Sequence, residues 1–371
     1  MKSPVLIINP GSTSTKIAVY DCAPPPDASP SGDRARELWQ STIRHEPEEL
    51  ARYESLAEQL DFRKRLALQQ LKDAGFELSH LAAVIGRGGL IKPVDSGIYA
   101  VNELMKEHLR AGLQGEHASN LGGLIAADIA ALCPQSVQAF IADPVVVDEF
   151  HPYARVAGHP LFERRSIFHA LNQKAVARMY ARETGARYEQ LNLIVAHLGG
   201  GISIGAHCKG RVVDVNQALD GEGPFSPERS GTLPAGQLVD LCFSGKYSQK
   251  EIKAMLAGKG GLIALCDSNN VQQLIGEARE GNQRAELMLE AMCYQVAKDI
   301  GAMSAALKGD VDCIVLTGGI AHNTWLTDRI TQYVRFIAPV RAYPGEDEMA
   351  ALAMNVQMAL AKEIEVKEYV G

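Results

Sequence analysis

The sequence predicts an α/β protein built from two related domains. Its 371 residues are enough for about two domains of ordinary size. Two segments share the order apolar strand, turn of small residues, apolar strand: LIINPGSTSTKIAVY near the start and LIVAHLGGGISIGAH in the second half. Stretches with helical periodicity, such as 56–74 and 268–308, alternate with strand-like runs. Two hairpins can also match by chance, so the duplication is a hypothesis at this stage.

The individual elements follow from local composition. A β-hairpin is expected over 5–20, because two β-rich runs flank a turn of Gly, Ser and Thr. A surface loop is expected over 22–33, where Pro, Ser and Asp cluster. Further strands are expected at 81–85, 137–142, 191–196, 202–206, 211–215 and 313–317, and further helices at 120–133 and 347–362.

Charge and cysteine usage exclude several classes of protein. The chain has 37 Lys and Arg against 44 Asp and Glu, a net charge of −7, and no long run of basic residues, so nucleic acid is not an expected partner. The longest uncharged stretch, 191–208, is interrupted by glycines and is not a membrane span. Seven cysteines without a C-x-x-C pair indicate neither a zinc site nor a disulfide framework. With no signal peptide expected, a cytoplasmic location is predicted.

Three predicted strands end in turns of small residues, PGSTST, HLGGG and TGGIAHN. Backbone N–H groups in such turns can coordinate phosphate oxygens, although any one turn alone is more often structural. No G-x-x-x-x-G-K-[ST] or strand-linked G-x-G-x-x-G occurs, so neither a P-loop nor a dinucleotide fingerprint is present. The candidate phosphate-binding residues in and beside these turns are Ser12, Ser14, Lys16, His197, Gly199, Gly200, Gly201, Gly318, Gly319, Ile320 and Asn323.

Eight elements in order resemble the acetate and butyrate kinase family: NPGSTSTKIAVY, GRGG, the strand end at Asp143, IFHALNQKAVAR, AHLGGG, PFSPERSG, LTGGIAHN and PGEDEM. The resemblance implies a duplicated ribonuclease-H-like (actin-like ATPase) fold of two domains with a central cleft. It also implies ATP and Mg²⁺ as cofactors and a homodimer or larger homo-oligomer. Residues 1–143 with 347–371 would form an acid-binding domain that includes the returning C-terminal helix, and 144–346 a nucleotide-binding domain.

The same resemblance assigns roles in phosphoryl transfer between two anions, for which a protein must neutralise charge and align the reactants. Arg87 and Arg229 would clamp the carboxylate or the phosphoryl group, and His169 would donate to a phosphoryl oxygen. Asn9 would face the phosphates. Because a carboxylic acid is already ionised at pH 7, Asp143 would orient an arginine or a Mg²⁺-bound water rather than accept a proton. The alternatives are surface ion pairs for the arginines and a core position for His169.

An acidic run, Glu346-Asp347-Glu348, lies where the family has a metal-associated glutamate at the start of the last helix. Mg²⁺ usually takes only one or two protein carboxylates beside the nucleotide phosphates. Glu348 or Asp347, with Asn9 nearby, is therefore the expected metal contact, and the sequence does not separate the two acids. Favourable charge at a helix N-terminus is the alternative reading of the run.

The residues after the first arginine bear on the acid substrate. Acetate kinases of the family usually read R-V-V-H-G-G there, whereas this chain has Arg87-Gly88-Gly89. Loss of the valine would open room for roughly two or three more carbons, each worth ~0.8 kcal/mol when buried. Butyrate, isobutyrate or a similar acid is then favoured, with Phe168 and Asn120 as further pocket residues, and Gly89→Val should shift preference toward acetate.

Two alternative functions stay open. An acetate or propionate kinase is disfavoured by Gly89. An actin-like or chaperone-like ATPase switch without an acid substrate would need the phosphate turns but not Arg87, Arg229 and His169.

Overall fold

The structure, a computed structural model, describes residues 3–23 and 35–371. The chain divides into two compact units, Met1–Val147 with Asp347–Gly371, and Asp148–Glu346. The first crossing between the units follows Val147, close to the boundary after residue 143 that the resemblance implies. Of the loop expected at 22–33, residues 24–33 lie outside the described ranges.

The described ranges contain twelve strands and thirteen α-helices. The strands are β1 (Pro4–Pro10), β2 (Ser14–Asp21), β3 (Arg36–Arg44), β4 (Ala83–Arg87), β5 (Ile98–Ala100), β6 (Gln138–Ala142), β7 (Asn192–Leu198), β8 (Ile202–Cys208), β9 (Arg211–Val215), β10 (Cys313–Gly318), β11 (Val340–Pro344) and β12 (Val366–Glu368). The helices are α1 (Pro47–Leu50), α2 (Leu60–Asp73), α3 (Glu103–Ala111), α4 (Asn120–Leu132), α5 (Pro152–Arg155), α6 (Ala170–Glu183), α7 (Ala235–Phe243), α8 (Gln249–Leu256), α9 (Leu262–Cys266), α10 (Val271–Arg279), α11 (Gln283–Ala306), α12 (Thr324–Val334) and α13 (Glu348–Leu360).

The two sheets repeat one topology. In the first unit the order is β12-β5-β6-β4-β1-β2-β3, and in the second it is β11-β10-β7-β8-β9. Each sheet begins with an antiparallel meander of three strands, β1-β2-β3 or β7-β8-β9. Two strands parallel to the first then extend the sheet, β4 and β6 or β10 and β11. The predicted duplication is confirmed, and the first unit adds β5 and β12 at its edge.

The central strands read as unbroken apolar runs because helices cover them. Val5, Ile7 and Ile8 of β1 are fully buried, and β1 contacts α4 and α13. Every residue of β7 is buried, and α6 and α11 pack against that strand. The small-residue turns at the carboxyl ends of β1 and β7 are therefore attached to buried strands.

No helix within residues 3–23 and 35–371 is long and apolar enough to cross a membrane. All seven cysteines are free thiols, and four of them, Cys22, Cys133, Cys293 and Cys313, are buried.

Candidate functional site

In the first unit, the candidate residues gather at one edge of the sheet. β1, β4 and β6 run parallel, so their carboxyl ends meet at the same edge, where ligands bind in open α/β sheets. The PGSTST turn follows β1, the GRGG segment spans the end of β4, and Asp143 follows β6 directly.

Asn9, Arg87 and Glu348 form a charged group that we call the Arg87 cluster. Arg87 makes a two-pronged ion pair with Glu348: one guanidinium nitrogen lies 2.9 Å from Oε1 and the other donates to Oε2 at 3.1 Å. Asn9 Nδ2 donates to the same Oε2 at 2.6 Å. Both charged side chains are about one-fifth exposed, so the cluster is ordered yet reachable from solvent.

The three acids of the run Glu346-Asp347-Glu348 have different partners in the structure. Asp347 is the N-cap of α13, and its carboxylate accepts from the backbone N–H of Ala350 at 2.8 Å. Glu348 is the acid of the Arg87 cluster. Glu346 belongs to the second unit, where its Oε1 lies 3.1 Å from His197 Nε2. Asp347 therefore stabilises the helix end, and a metal contact by Glu348 or Asp347 stays a prediction.

The PGSTST turn is held from behind by Arg63, a residue that the sequence analysis missed. Arg63 lies on α2 and is completely buried. Its guanidinium donates to three backbone carbonyls of the turn, those of Gly11, Ser12 and Ser14, at 2.7 to 3.2 Å. Burial lowers the pKa of Arg63 to about 10, so it stays protonated near neutral pH. Three carbonyl groups of the turn thus accept hydrogen bonds from the buried Arg63 guanidinium.

The nucleotide-binding candidates of the first unit are accessible to different degrees. Ser12 and Lys16 are exposed, and Ser14 is half-buried. In the β1–β2 ladder, Lys16 is the register partner of Asn9.

Asp143 is buried and oriented by a neighbouring loop. Its Oδ1 accepts from Ser96 Oγ at 2.6 Å and from the backbone N–H of Gly97 at 2.9 Å. Its φ of 37° lies in the left-handed region, which aspartate tolerates better than most residues. These bonds fix the carboxylate at the sheet edge, while its role in orienting an arginine or a water stays a prediction.

The glycines around Arg87 allow the backbones of β4 and α4 to touch. A Cβ atom on Gly86 would lie 2.0 Å from the carbonyl oxygen of Gly122, and one on Gly122 would lie 2.3 Å from that of Arg87. Arg87 is therefore seated directly on the first turn of α4.

The room expected at Gly89 is not there. A Cβ on Gly89 would lie 2.5 Å from Asn120 Cα and 2.8 Å from Leu109 Cδ2. Asn120 itself bridges two loops, since its Oδ1 accepts from the Leu90 N–H and its Nδ2 donates to the Gly115 carbonyl. The absence of a valine side chain therefore does not open the acid pocket at Gly89, and that prediction is wrong. The space toward which a side chain at residue 89 would point is filled by Asn120 of α4 and Leu109 of α3.

We therefore expect Gly89→Val to destabilise the protein rather than to select acetate. Overpacking against a helix backbone costs about 1–3 kcal/mol, which thermal unfolding would detect. Gly75→Ala is a useful comparison for this measurement: a Cβ there meets nothing within 4 Å, although its φ of 78° adds a separate backbone strain. A stable Gly89→Val variant that prefers acetate would contradict this assignment.

In the second unit, two of the three small-residue turns lie at one sheet edge. β7 and β10 are parallel neighbours, with His197 the partner of Thr317. Gly318 ends β10 with φ of 88°, and a Cβ there would lie 2.3 Å from the carbonyl oxygen of Leu198. The backbone N–H of Gly318 also donates to the carbonyl of Gly345, which follows β11. HLGGG, TGGIAHN and the start of PGEDEM are therefore adjacent.

Two of the three glycines of HLGGG leave space for charged side chains. A Cβ on Gly201 would lie 1.9 Å from a guanidinium nitrogen of Arg229, and one on Gly199 would lie 2.7 Å from Glu346 Oε1. Arg229 also donates to the carbonyl of Ala218 at 2.6 Å. Burial lowers the pKa of Arg229, and Glu228 opposes that shift. The guanidinium is thus held against the turn.

Two histidines stack beside this turn. The rings of His169 and His197 are 3.8 Å apart and inclined by 9°. His197 Nδ1 lies 2.8 Å from the Asn172 amide oxygen, which only accepts, so that nitrogen carries the proton. His197 Nε2 is close to Glu346 without the alignment of a hydrogen bond. We call His169, His197, Gly199–Gly201 and Arg229 the Arg229 cluster.

Gly201→Ala is expected to displace Arg229 without unfolding the protein. The added Cβ would collide with the far end of a long side chain, which can move at little cost. We expect kcat for acid-dependent ADP release to fall at least tenfold. The melting temperature should stay within a few degrees of that of the unsubstituted protein.

Gly236→Ala is the control, because that glycine lies outside the small-residue turns and a Cβ there meets nothing within 4 Å. It should keep kcat within about twofold of the unsubstituted protein. Equal kcat values for the Gly236 and Gly201 variants would show that Arg229 does not contribute to turnover.

The remaining candidates have mixed placements. Asn323 caps α12 by accepting from the Trp325 N–H, and Ile320 packs on the apolar core of the second unit. Gly319 is exposed, and a Cβ on it would meet nothing within 4 Å. Phe168 is buried beside His169 in the second unit, whereas Gly89 and Asn120 belong to the first.

The chain is similar to known proteins in sequence and in fold. A model of the Acetokinase family matches residues 154–337. The chain is 53% identical to Butyrate kinase 2 of Clostridium acetobutylicum and 49% identical to a probable butyrate kinase of Clostridium botulinum, each over 100% of both chains. Among solved structures, it is similar to acetate kinase of Porphyromonas gingivalis, with TM-score 0.76 and 19% identity over 97% of this chain and 100% of the other. Acetate kinase of Entamoeba histolytica gives TM-score 0.71 and 17% identity, over 98% and 99%.

Proposed function

Because the chain belongs to the acetokinase family, we propose that it catalyses reversible, ATP-dependent phosphorylation of butyrate or a similar short-chain carboxylic acid to the acyl phosphate. One observation carries this proposal. In each unit, an arginine at the carboxyl edge of the sheet is held by hydrogen bonds or an ion pair. Arg87 is fixed by Glu348, whose carboxylate also accepts from Asn9. Arg229 donates to the Ala218 carbonyl and occupies the space that Gly201 leaves by having no side chain.

The chemistry explains why two arginines are needed. ATP and a carboxylate are both anions, so their approach requires cations at the acid and at the phosphoryl group. Arg87 is proposed to bind the acid and Arg229 the transferring phosphoryl group, with direct in-line transfer. A guanidinium suits both, because it offers parallel N–H donors and keeps its charge. His169 is proposed to donate a hydrogen bond to a phosphoryl oxygen as charge builds up.

The nucleotide is proposed to bind through the small-residue turns. Exposed Gly319 and exposed Gly200 are proposed to offer backbone N–H groups to phosphates. The Gly199 N–H already donates to the Gly201 carbonyl, so Gly199 and Gly201 are proposed to shape that turn. Ser12, Ser14 and Lys16 are proposed to contribute from the first turn. Arg63 adds a buried positive charge behind that turn, which favours an anion on its outer side.

Mg²⁺ fits the Arg87 cluster with one restriction. Oε2 of Glu348 already accepts from Asn9 and Arg87. Among the described residues, Oε1 accepts from Arg87 alone. A carboxylate oxygen has two lone pairs, so Oε1 can bind the ion directly or through water. No group of three or more metal-binding side chains exists among the described residues, which suits an ion that keeps several waters and phosphate ligands. When bound, Mg²⁺ would neutralise phosphate charge.

The choice of butyrate rests on the relatives, which carry that name at 49–53% identity over the full chain. It does not rest on Gly89. An acyl-hydroxamate assay with ATP and a panel from acetate to valerate tests it, and we expect the highest kcat/KM with butyrate or isobutyrate. A maximum at acetate or propionate would support the acetate or propionate kinase alternative. The homo-oligomer and the cytoplasmic location stay predictions of the sequence.

A further inference from the structure

A chain of buried polar side chains leads to the ring of His169. Tyr188 OH lies 2.7 Å from His207 Nδ1, and His207 Nε2 lies 3.0 Å from Gln173 Oε1. Gln173 Nε2 lies 2.9 Å from Ser203 Oγ, which lies 2.9 Å from His169 Nδ1. Ser203, Gln173 and His207 are 0% exposed. Three polar side chains so fully enclosed must satisfy their hydrogen bonds with one another and with their neighbours.

The direction of each hydrogen bond follows from groups that can only donate or only accept. Gln173 Nε2 also donates to the backbone carbonyl of Ser203 at 3.0 Å, which identifies the amine end of this side chain. Its Oε1 therefore accepts from His207 Nε2. Burial, with Lys174 and Arg178, lowers the pKa of His207 well below its ordinary value. His207 is therefore neutral, and its Nδ1 accepts from Tyr188.

The hydroxyl of Ser203 passes this direction on to His169. A hydroxyl has one proton and two lone pairs. Gln173 Nε2 donates to Ser203 Oγ, and the backbone N–H of His169 points at it from 3.5 Å. With both lone pairs engaged, the proton of Ser203 is directed at His169 Nδ1. That nitrogen is an acceptor, so the proton of the neutral ring is on Nε2.

We propose that Ser203, Gln173 and His207 are positioning residues that hold His169 as the neutral tautomer protonated on Nε2. A proton on His169 Nδ1 would face the hydroxyl proton of Ser203. Because the imidazolium carries a proton on both ring nitrogens, the network disfavours that form as well. His169 then offers one N–H for hydrogen bonding and transfers no proton. Its value for catalysis rests on the proposed function, whereas the tautomer is a property of the protein without substrates.

The test is a two-bond ¹H–¹⁵N correlation spectrum of the full chain labelled at its ten histidines, with His169 assigned by comparison with His169→Asn. We expect the shift pattern of an Nε2-protonated neutral ring. Gln173→Glu should reverse the network, because the new carboxylate accepts from Ser203 and leaves Nδ1 of His169 to donate. A wrong tautomer can lower kcat by up to ~10⁴ in other enzymes, and we expect at least tenfold here, with KM values within about twofold.

Ser203 provides the matched pair of variants. Ser203→Ala should mix the tautomers and lower kcat, whereas Ser203→Thr keeps the hydroxyl and should keep the spectrum of the unsubstituted protein. A proton on Nδ1 in that protein, or a His169 pattern unchanged by both Gln173→Glu and Ser203→Ala, would overturn the proposal. Variants that fail to fold leave the first of these criteria decisive. An Nε2-protonated ring in a protein that makes no acyl phosphate would reject the proposed function and keep the tautomer assignment.

Discussion

Arg229→Leu should lower kcat by about 10³ or more while the protein stays folded. An arginine that stabilises phosphoryl-transfer charge contributes ~10³–10⁵ to kcat, and the partly buried setting of Arg229 strengthens that contribution. The structural loss is small by comparison, one hydrogen bond to the Ala218 carbonyl, worth about 1 kcal/mol. Acid-dependent ADP release measures the first effect and thermal unfolding the second.

Arg229→Lys is the informative companion. It keeps the positive charge and loses the parallel N–H donors, so kcat should fall between those of the unsubstituted protein and Arg229→Leu. If Arg229→Leu retained full turnover, Arg229 would not belong to the site.

The second large effect is expected for Arg87→Leu. Removing one partner of a hydrogen-bonded charge pair costs about 2–5 kcal/mol when the other is left buried, and Glu348 is about four-fifths buried. The leucine would leave Glu348 with Asn9 alone and would repel an incoming carboxylate. We expect kcat/KM for butyrate to fall by about 10² or more, with a smaller change in KM for ATP.

Arg155→Leu controls for the loss of an ion pair. Arg155 lies 2.7 Å from Asp148, and its side chain is 36% exposed. Like Arg87 it forms an ion pair with an acid, but it lies on α5 and not at the end of a strand. Its substitution should leave kcat/KM within about twofold. Equal losses for the two variants would show that the effect of Arg87 is only structural.

The parts of the fold that were predictable are those with strong local patterns. The β1–β2 and β7–β8 hairpins follow from apolar runs around small-residue turns, and β9 was predicted at its observed bounds. β3, by contrast, was missed because it lies at a sheet edge and alternates exposed with half-buried residues. β12 was missed because three residues, Val366–Glu368, become a strand only by pairing with β5.

The site divides in the same way. Arg87, Arg229 and Glu348 lie within motifs that resemble the family, so the resemblance pointed to them, with Asp347 as an equal candidate beside Glu348. Arg63 lies in a charged helical stretch, FRKRL, that reads as a solvated face, and only tertiary packing shows that it is buried under the first turn.

Gly89 shows the converse error. A missing side chain was interpreted as free space, whereas the space is occupied by the backbone of α4. Glycines at 86 and 122 serve the same close approach, and no local pattern in the sequence reveals that contact.

The most direct measurement of the central claim is ³¹P NMR of the protein incubated with ATP, Mg²⁺ and butyrate. The account predicts an acyl-phosphate resonance that grows with ADP in equal amounts, and ATP resonances when acyl phosphate and ADP are supplied instead. ADP and orthophosphate formed at the same rate with or without butyrate would contradict it and indicate an ATPase switch.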